Sequence, residues 1–266
     1  MNPFIRVINS VLPEPQASLL NGILFGVKTS MPKEFYNALI TTGTLHIVAL
    51  SGMNISILTV LTARITLFFG RKASSILTIC LIVLFTIFVG ASPSIVRAAI
   101  MGSLSLFAVY FGRQNWGLLG LFLAAGIMLL YDFSFIKDLS FQLSFLATFG
   151  IILATVKSKR YWGKGLPDQA VYWLKENLKL TLSAQLFTLP VILYNFRRIS
   201  LIAPLANLMI ECLIQPIMVL GLLLSFIGSL WLPAAVPLAW IVWVPLTYLI
   251  TVIELLAKIP GASLSF

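Results

Sequence analysis

Residues 44–58, TLHIVALSGMNISIL, decide the class of this protein. The segment holds the chain's only histidine, His46, in an apolar run that Ser51-Gly52 interrupts shortly before Asn54. Non-helical backbone is tolerated at membrane depth only where protein or a water-filled cavity surrounds it. Polar side chains at that depth usually have a functional role. The segment therefore predicts a membrane protein with a polar interior.

The composition of the whole chain agrees with this prediction. Hydrophobic residues make up 59% of the 266 residues and charged residues only 10%, whereas soluble domains are roughly half apolar and a quarter charged. Residues 114–131 and 139–156 contain no charged side chain, and each stretch is long enough to span a bilayer as a helix. We expect an all-α, polytopic integral membrane protein.

We predict about eight transmembrane helices preceded by short N-terminal helices. Residues 16–27 and 33–42 are too short to span, so residues 1–42 form an interfacial or re-entrant segment and residues 43–266 the transmembrane domain. The start of the chain lacks the features of a signal peptide. The predicted spans are 43–69, 73–90, 93–112, 115–131, 138–156, 178–195, 202–229 and 236–258.

The distribution of lysine and arginine gives a weak prediction of orientation. Cytoplasmic loops of membrane proteins carry an excess of these residues, and the bias here places the polar 157–179 segment in the cytoplasm and both termini outside. The net charge of +10 is compatible with this bias. It is equally compatible with a polyanionic substrate, and charge alone leaves both interpretations open.

Two readings of His46 remain open. It is either hydrogen-bonded between packed helices or part of a cavity lining. A metal site is not expected, because a single histidine has no partner ligands. Cys80 and Cys212 lie in apolar runs and are predicted to be buried free thiols.

Arg97 lies a few residues into the third predicted span, in the sequence PSIVRAAIMGS. Ser94, Ala98 and Gly102 recur every four residues around it, a pattern that favours close helix packing. The arginine could snorkel to the surface, pair with Glu211 or Asp138, or line a pore.

A polar stripe runs along the seventh predicted span. Asn207, Glu211 and Gln215 are spaced four residues apart and share one helix face. A glutamate at membrane depth must be paired, protonated or in contact with water, so this stripe is the clearest physical indication of a hydrophilic path. A similar stripe on the sixth span and a weaker pair on the fifth are formed by Asn177, Thr181, Gln185 and Thr188, and by Gln142 and Ser144.

Enzyme motifs are not found in the sequence. No G-x-S-x-G surrounds Ser51, and neither a glycine-rich phosphate loop nor H-E-x-x-H occurs. A hydrolase using Ser51 and His46 is disfavoured because residues five apart do not share a helix face. We expect no enzyme activity, no catalytic residue, no cofactor and no metal.

Several blocks of the sequence resemble the competence domain of ComEC-type DNA uptake proteins. These are GTLHIVALSGMNISIL, PSIVRAAIMG, DLSFQLSFLATFGI and LPVILYNFRRISLIAPLANLMIECLIQPIM, in this order. The resemblance extends from about residue 11 to 260. It implies a multi-pass channel in the bacterial plasma membrane that passes single-stranded DNA into the cytoplasm during natural transformation.

The resemblance also implies which residues and partners matter. Members often carry an OB-like domain before the channel and a nuclease domain after it, and neither is expected within these 266 residues. Partner chains would then supply a nuclease, a DNA receptor and a helicase or ATPase, or the chain is a reduced homologue or an excised domain; a homo-oligomer also fits. The candidate DNA-path residues by motif are His46, Ser51, Gly52, Asn54, Arg97, Gln142, Ser144 and Asn207, and the stripe adds Glu211 and Gln215.

Two other functions remain open at the level of sequence. A transporter of a small or lipid-linked solute would use the polar stripes as a compact site near the midplane. A membrane scaffold for DNA processing would bind the strand without conducting it. Binding of single strands that weakens with salt distinguishes the DNA readings from the solute transporter.

Overall fold

The computed structural model describes residues 3–27, 31–48, 52–114, 116–156 and 166–265. It is 85% helical, which confirms an all-α membrane protein. The helices are α1 (Pro3–Val11), α2 (Gln16–Phe25), α3 (Lys33–Thr41), α4 (Gly52–Thr66), α5 (Arg71–Val89), α6 (Pro93–Tyr110), α7 (Gly117–Tyr131), α8 (Leu139–Val156), α9 (Leu166–Phe196), α10 (Ala203–Leu230) and α11 (Leu232–Ala257). Two short strands, β1 (Arg198–Ser200) and β2 (Ser263–Ser265), pair antiparallel.

Within the described residues, five helices are long and apolar enough to cross a membrane. They are α4 with the short helical turn that follows it, α5, α6, α10 and α11. Helices α2, α7 and α8 are apolar but shorter. With 15 residues, α7 is only about 22 Å long at 1.5 Å per residue, less than the ~30 Å hydrocarbon core. The number of eight crossings therefore stays a prediction.

The chain forms two compact units. The first comprises Met1–Leu50 and Arg197–Phe266. Its centre is α2, whose ten residues are all buried among α1, α10 and α11. Gly221 on α10 lets α2 approach closely, since a Cβ there would lie 2.6 Å from Leu20, and Gly228 does the same for α1, since a Cβ there would lie 2.3 Å from Val7. A helix that is enclosed on all sides needs such close approach.

The second unit comprises Ser51–Phe196. Its α8 and α9 lie against each other around Gly150, where Ser183 Oγ donates a hydrogen bond to the Gly150 carbonyl oxygen at 2.8 Å. Phenylalanines spaced four residues apart follow α8. Phe141, Phe145 and Phe149 stack in sequence, and Phe149 meets Phe187 of α9 edge to face. These rings fill the space between helices, and such pairs stabilise beyond simple area burial.

The predicted start of the first span is wrong. The sequence interpretation began that span at residue 43, but the helix begins at Gly52, and residues 45–47 form a separate 3₁₀ turn. Gly43 has a φ of +69°, a left-handed conformation that ends α3 and favours glycine. The Thr42 hydroxyl donates to the Ala38 carbonyl at 2.8 Å, which satisfies one backbone acceptor of the last turn.

One further boundary was misplaced, and one helix was missed. Helix α9 begins at Leu166 rather than at residue 178, so part of the predicted polar loop is helical. Helix α1 was not predicted at all, since its apolar stretch is short. It packs on α2, α10 and α11, so tertiary contacts rather than length stabilise it.

The prediction of buried cysteines is wrong in one respect. Cys80 and Cys212 are free, as expected, but both are exposed. They lie on α5 and α10, two helices that qualify as membrane spans. A thiol behaves as a small apolar group, so an outward position on such a helix suits it as well as a core position does.

Candidate functional site

Arg97 is the most unusual side chain of the second unit. It occupies the fifth position of α6 and is only 5% exposed, so the snorkelling alternative is wrong. Its Nη1 donates to the hydroxyl of Thr148 on α8 and lies 3.8 Å from the Met101 sulfur. Arginine is rarely buried unless it is paired, and its surroundings therefore need an explanation.

Among the described residues of this unit, no carboxylate forms an ion pair with Arg97. Asp138, one of the two proposed partners, instead accepts a hydrogen bond from the Phe141 backbone N–H at 2.9 Å and so caps the start of α8. Arg97 Nε is buried and has no hydrogen-bond partner in the described part of the chain. The guanidinium is thus held at one nitrogen and left unsatisfied at another.

Gly52 lies directly beside this guanidinium. A Cβ on Gly52 would lie 3.1 Å from the Ala98 Cβ and 3.4 Å from Arg97 Nη2. The predicted small-residue seam therefore packs against α4 at Ala98. One turn further, Gly102 faces Ile55 of α4 and Ile82 of α5. Close approach of α4 to α6 follows from these small residues.

Three of the sequence blocks thus meet at one point. Gly52 comes from the first block, Arg97 from the second and Thr148 from the third. Thr148 was missed by the sequence analysis, which selected Gln142 and Ser144 from the same block. Its position four residues after Ser144 was the available signal, because that spacing places both on one face of α8. We call Gly52, Arg97 and Thr148 the arginine cluster.

The other candidates on α4 and α8 have separate environments. Asn54 is buried at 2% exposure. Gln142 donates through Nε2 to the carbonyl oxygen of Ile136 at 2.8 Å, which fixes the turn before α8, and Ser144 is half-buried. Ser51 lies outside the described residues.

His46 belongs to the first unit and not to the arginine cluster. Its side chain is exposed, and its Nδ1 lies 3.1 Å from the Gly43 carbonyl oxygen. This is a local contact within one turn, so the interpretation of His46 as a histidine buried between packed helices is wrong. Nearby, Thr44 is fully buried and its hydroxyl lies 2.9 Å from that of Thr42. The first sequence block therefore contributes its two halves to different units.

The polar stripe of α10 also lies in the first unit. Glu211 and Gln215 are exposed and Asn207 is half-buried, while Ile210, Ile214 and other apolar residues of α10 face the core. The Asn207 Oδ1 is buried without a partner among the residues that the structure describes. The stripe thus forms one side of α10, adjacent to its packed face, and keeps a carboxylate on the outside of a membrane-length helix.

Two residues of the sixth-span stripe are satisfied within their own helix. Asn177 Nδ2 donates to the Trp173 carbonyl oxygen at 2.9 Å, and the Thr188 hydroxyl donates to the Ala184 carbonyl oxygen at 2.9 Å. Such back-bonding satisfies polar side chains locally. Asn177 and Thr188 therefore need no hydrophilic path to explain them.

Polar residues on α2 form a group that the sequence analysis did not select. Gln16 Nε2 donates to Thr247 Oγ1 at 3.0 Å, and Asn21 Nδ2 donates to Asn9 Oδ1 at 2.7 Å. The remaining amide oxygens of Gln16 and Asn21 are buried without a partner within the described ranges. Only the enclosure of α2 makes these side chains unusual, and enclosure depends on tertiary packing that a ten-residue segment does not reveal.

Comparison with known proteins decides the family of this chain. The family model described as "Competence protein" matches residues 23–266. The chain belongs to the competence protein family. The match includes the arginine cluster, the turn around His46 and the α10 stripe. The resemblance stated from the sequence blocks is therefore confirmed, as is a multi-pass membrane protein.

A similar curated protein is the "ComE operon protein 3" of Bacillus subtilis (strain 168). It is 29% identical over 232 residues, which cover 85% of this chain but only 29% of that relative. This competence-family chain therefore spans less than a third of the relative's length. No solved structure matches this chain.

Proposed function

We propose that this chain is the membrane-embedded part of a DNA uptake system and passes single-stranded DNA across the bacterial plasma membrane. The observation that carries the proposal is the family match over residues 23–266, which includes all of the second unit and most of the first. The membrane-length helices support it, because a strand can cross a bilayer only through a polypeptide that spans it.

The side chains of the second unit are compatible with an anionic cargo. Arg97 is a buried cation that forms no ion pair with an acidic side chain in the described part of the unit, and phosphate groups are natural partners of arginine. Exposed basic residues, such as Arg71 at the start of α5 and Lys175 on α9, add to the net charge of +10. Basic grooves are typical of proteins that bind single strands without sequence preference.

Deletion of the coding sequence in its own host tests the proposal. Cells receive fluorescent DNA, and the fraction protected from added nuclease is measured together with transformation frequency. We expect the deletion to abolish both and a plasmid copy to restore both, while DNA bound outside the cell is unchanged. Normal uptake in the deletion strain would refute the proposal.

Purified chain in planar bilayers distinguishes conduction from scaffolding. Under an applied potential, a conducting path gives current blockades whose frequency rises with the concentration of single strands added on one side. A scaffold would bind the same strands without blockades, and a solute transporter would do neither. Bilayers without protein provide the baseline.

A further inference from the structure

We infer that the end of α6 and the start of α5 form a binding site for an anionic phospholipid. Arg113 and Lys72 would contact the phosphate of its headgroup, and Phe107 and Phe111 would lie along an acyl chain. This contact with the membrane goes beyond the proposed function, because it does not involve the cargo.

A groove of about 430 Å³ lies at the end of α6, lined by Phe107, Ala108, Phe111 and Arg113. Phe107 and Ala108 belong to the last turn of this membrane-length helix, whereas Arg113 follows its end. The groove therefore extends from the apolar part of the helix to a cation just beyond it. A phospholipid has the same order of parts, with an acyl chain that leads to a charged headgroup.

A Schellman motif fixes Arg113 beside the groove. The Arg113 N–H donates to the Ala108 carbonyl oxygen at 2.8 Å, and the Gly112 N–H donates to that of Val109 at 3.1 Å. Gly112 has a φ of +65°, the left-handed conformation that this helix ending requires. The backbone of Arg113 is thus held against the last turn of α6, while the residue itself is exposed.

Lys72 supplies a second cation at the same end of the helices. Its Nζ lies 5.6 Å from the centre of the Tyr110 ring, and the Tyr110 and Phe111 rings meet edge to face with their centroids 5.0 Å apart. Because Phe111 lines the groove, these contacts place the lysine next to it. Neither Lys72 nor Arg113 forms an ion pair with a described residue, so both remain available to a phosphate.

The surrounding sequence is strongly basic. Between Glu34 and Asp132 the chain has five basic residues and no acidic one. Four of the five lie at the end of α4, the start of α5 and the end of α6: Arg64, Arg71, Lys72 and Arg113. The first two of these places are joined where the hydroxyls of Thr66 and Ser74 lie 2.8 Å apart. Basic clusters beside membrane helices attract anionic lipids.

The apolar side of the groove favours a lipid over a nucleic acid strand. Phe107 is 57% exposed, and Ile76 and Leu77, about one turn after Lys72, are exposed as well. Exposed apolar surface of this kind marks contact with a membrane, and aromatic side chains are enriched at the level of the headgroups. A strand carries a phosphate on every nucleotide, and such a surface offers its backbone no partner.

Native mass spectrometry of the full chain in maltoside detergent tests the inference. The probes are phosphatidylglycerol and zwitterionic phosphatidylcholine with the same acyl chains, and we expect wild type to bind phosphatidylglycerol more tightly. Lys72→Gln and Arg113→Gln should each weaken that binding about fivefold, the effect of one basic residue at an anionic lipid surface, and should affect phosphatidylcholine less. Phe107→Ala should weaken both lipids alike, because contact with an acyl chain does not distinguish headgroups.

Lys137→Gln is the matched control. Lys137 is exposed in the turn before α8, at the opposite end of α6, since Val96 near the start of α6 packs against the cluster of Ala125, Met128 and Phe141. This variant should bind phosphatidylglycerol as wild type does. The melting temperature without added lipid should be the same for all the variants, because each replaced side chain is exposed.

Three outcomes would overturn the inference. One is equal affinity of wild type for the two lipids. Another is unchanged binding of phosphatidylglycerol by the double variant Lys72→Gln/Arg113→Gln. The third is displacement of phosphatidylglycerol from wild type by a single-stranded oligonucleotide, which would assign the groove to nucleic acid. These outcomes are independent of DNA uptake in the deletion strain, which tests only the proposed function.

Discussion

At the scale of single residues, Gly52 gives a quantitative prediction. An added Cβ would lie 3.1 Å from Ala98, so alanine requires α4 and α6 to separate by a few tenths of an ångström. Leucine requires far more, and overpacking of this kind costs about 1–3 kcal/mol. We expect Gly52→Leu to reduce both thermal stability and DNA uptake, and Gly52→Ala to have a milder effect.

Gly102 on α6 is the matched control for Gly52. Its nearest neighbour would lie 3.6 Å from an added Cβ, an ordinary van der Waals contact. Gly102→Ala should therefore behave as wild type when melting in detergent and uptake are measured at equal expression. Equal tolerance of alanine and leucine at position 52 would mean that this glycine faces open space.

Glu211 gives a prediction about function rather than stability. Its carboxylate is exposed on α10, and a charge on a membrane-length helix is costly unless water or a polar group meets it. Glu211→Leu should therefore leave the melting temperature unchanged or higher and lower DNA uptake. Glu211→Gln separates polarity from charge and should retain part of the uptake. A leucine variant with normal uptake would show that the α10 stripe is not part of a hydrophilic path.

The sequence predicted which residues are unusual better than it predicted their partners. Arg97 stood out because charge is rare in apolar helices, a property that a single position carries. Its contact with Thr148 depends on how α6 and α8 pack, and residue spacing within one helix does not determine packing between helices. For the same reason the sequence left His46 open between a histidine packed among helices and a cavity lining, whereas its side chain is exposed in a 3₁₀ turn.

At the scale of helices, the contact of α8 with α9 depends on Gly150. A Cβ there would lie 2.8 Å from the Ser183 carbonyl oxygen and 2.7 Å from Phe187. Backbone cannot yield as a flexible side chain can, so Gly150→Ala should lower stability by about 1–3 kcal/mol. Denaturation in mixed detergent micelles measures this.

Gly120 of α7 is the control for this helix contact. It has no atom within 4 Å of an added Cβ in the described structure, and alanine is the better helix former by about 0.5–1 kcal/mol. Gly120→Ala should be neutral or slightly stabilising. If Gly150→Ala were as stable as Gly120→Ala, the close approach of α8 and α9 would be wrong.

Helices were predicted well where the apolar run alone defines them. The bounds of α5, α6 and α11 lie within a few residues of the predicted spans, because a long, mainly apolar stretch flanked by glycine or proline leaves one interpretation. The start of α4 was misplaced, since a left-handed Gly43 can end a helix within apolar sequence. The start of α9 was misplaced because polar residues form helix as readily as loop.

At the scale of the whole molecule, the composition predicted a membrane protein and the order of the motifs predicted its family. Composition and motif order are both properties of the entire chain. The division into two units was not foreseen. The first unit joins residues from both ends of the sequence, 1–50 and 197–266. Such pairing depends on contacts such as Gly228 with Val7, which are distant in sequence and carry no local pattern.

The predicted orientation in the membrane depends on whether α8 crosses. Lysine and arginine counts predict the segment after α8 inside and the turn before it outside. With Cys80 and Cys212 replaced by alanine, Ser134→Cys should react with a membrane-impermeant maleimide in intact cells. Ser158→Cys should react only after the cells are permeabilised. Labelling of both in intact cells would mean that α8, at 18 residues and about 27 Å, does not cross. Labelling of Ser158→Cys alone would invert the predicted orientation and place the basic 157–179 segment on the side where DNA arrives.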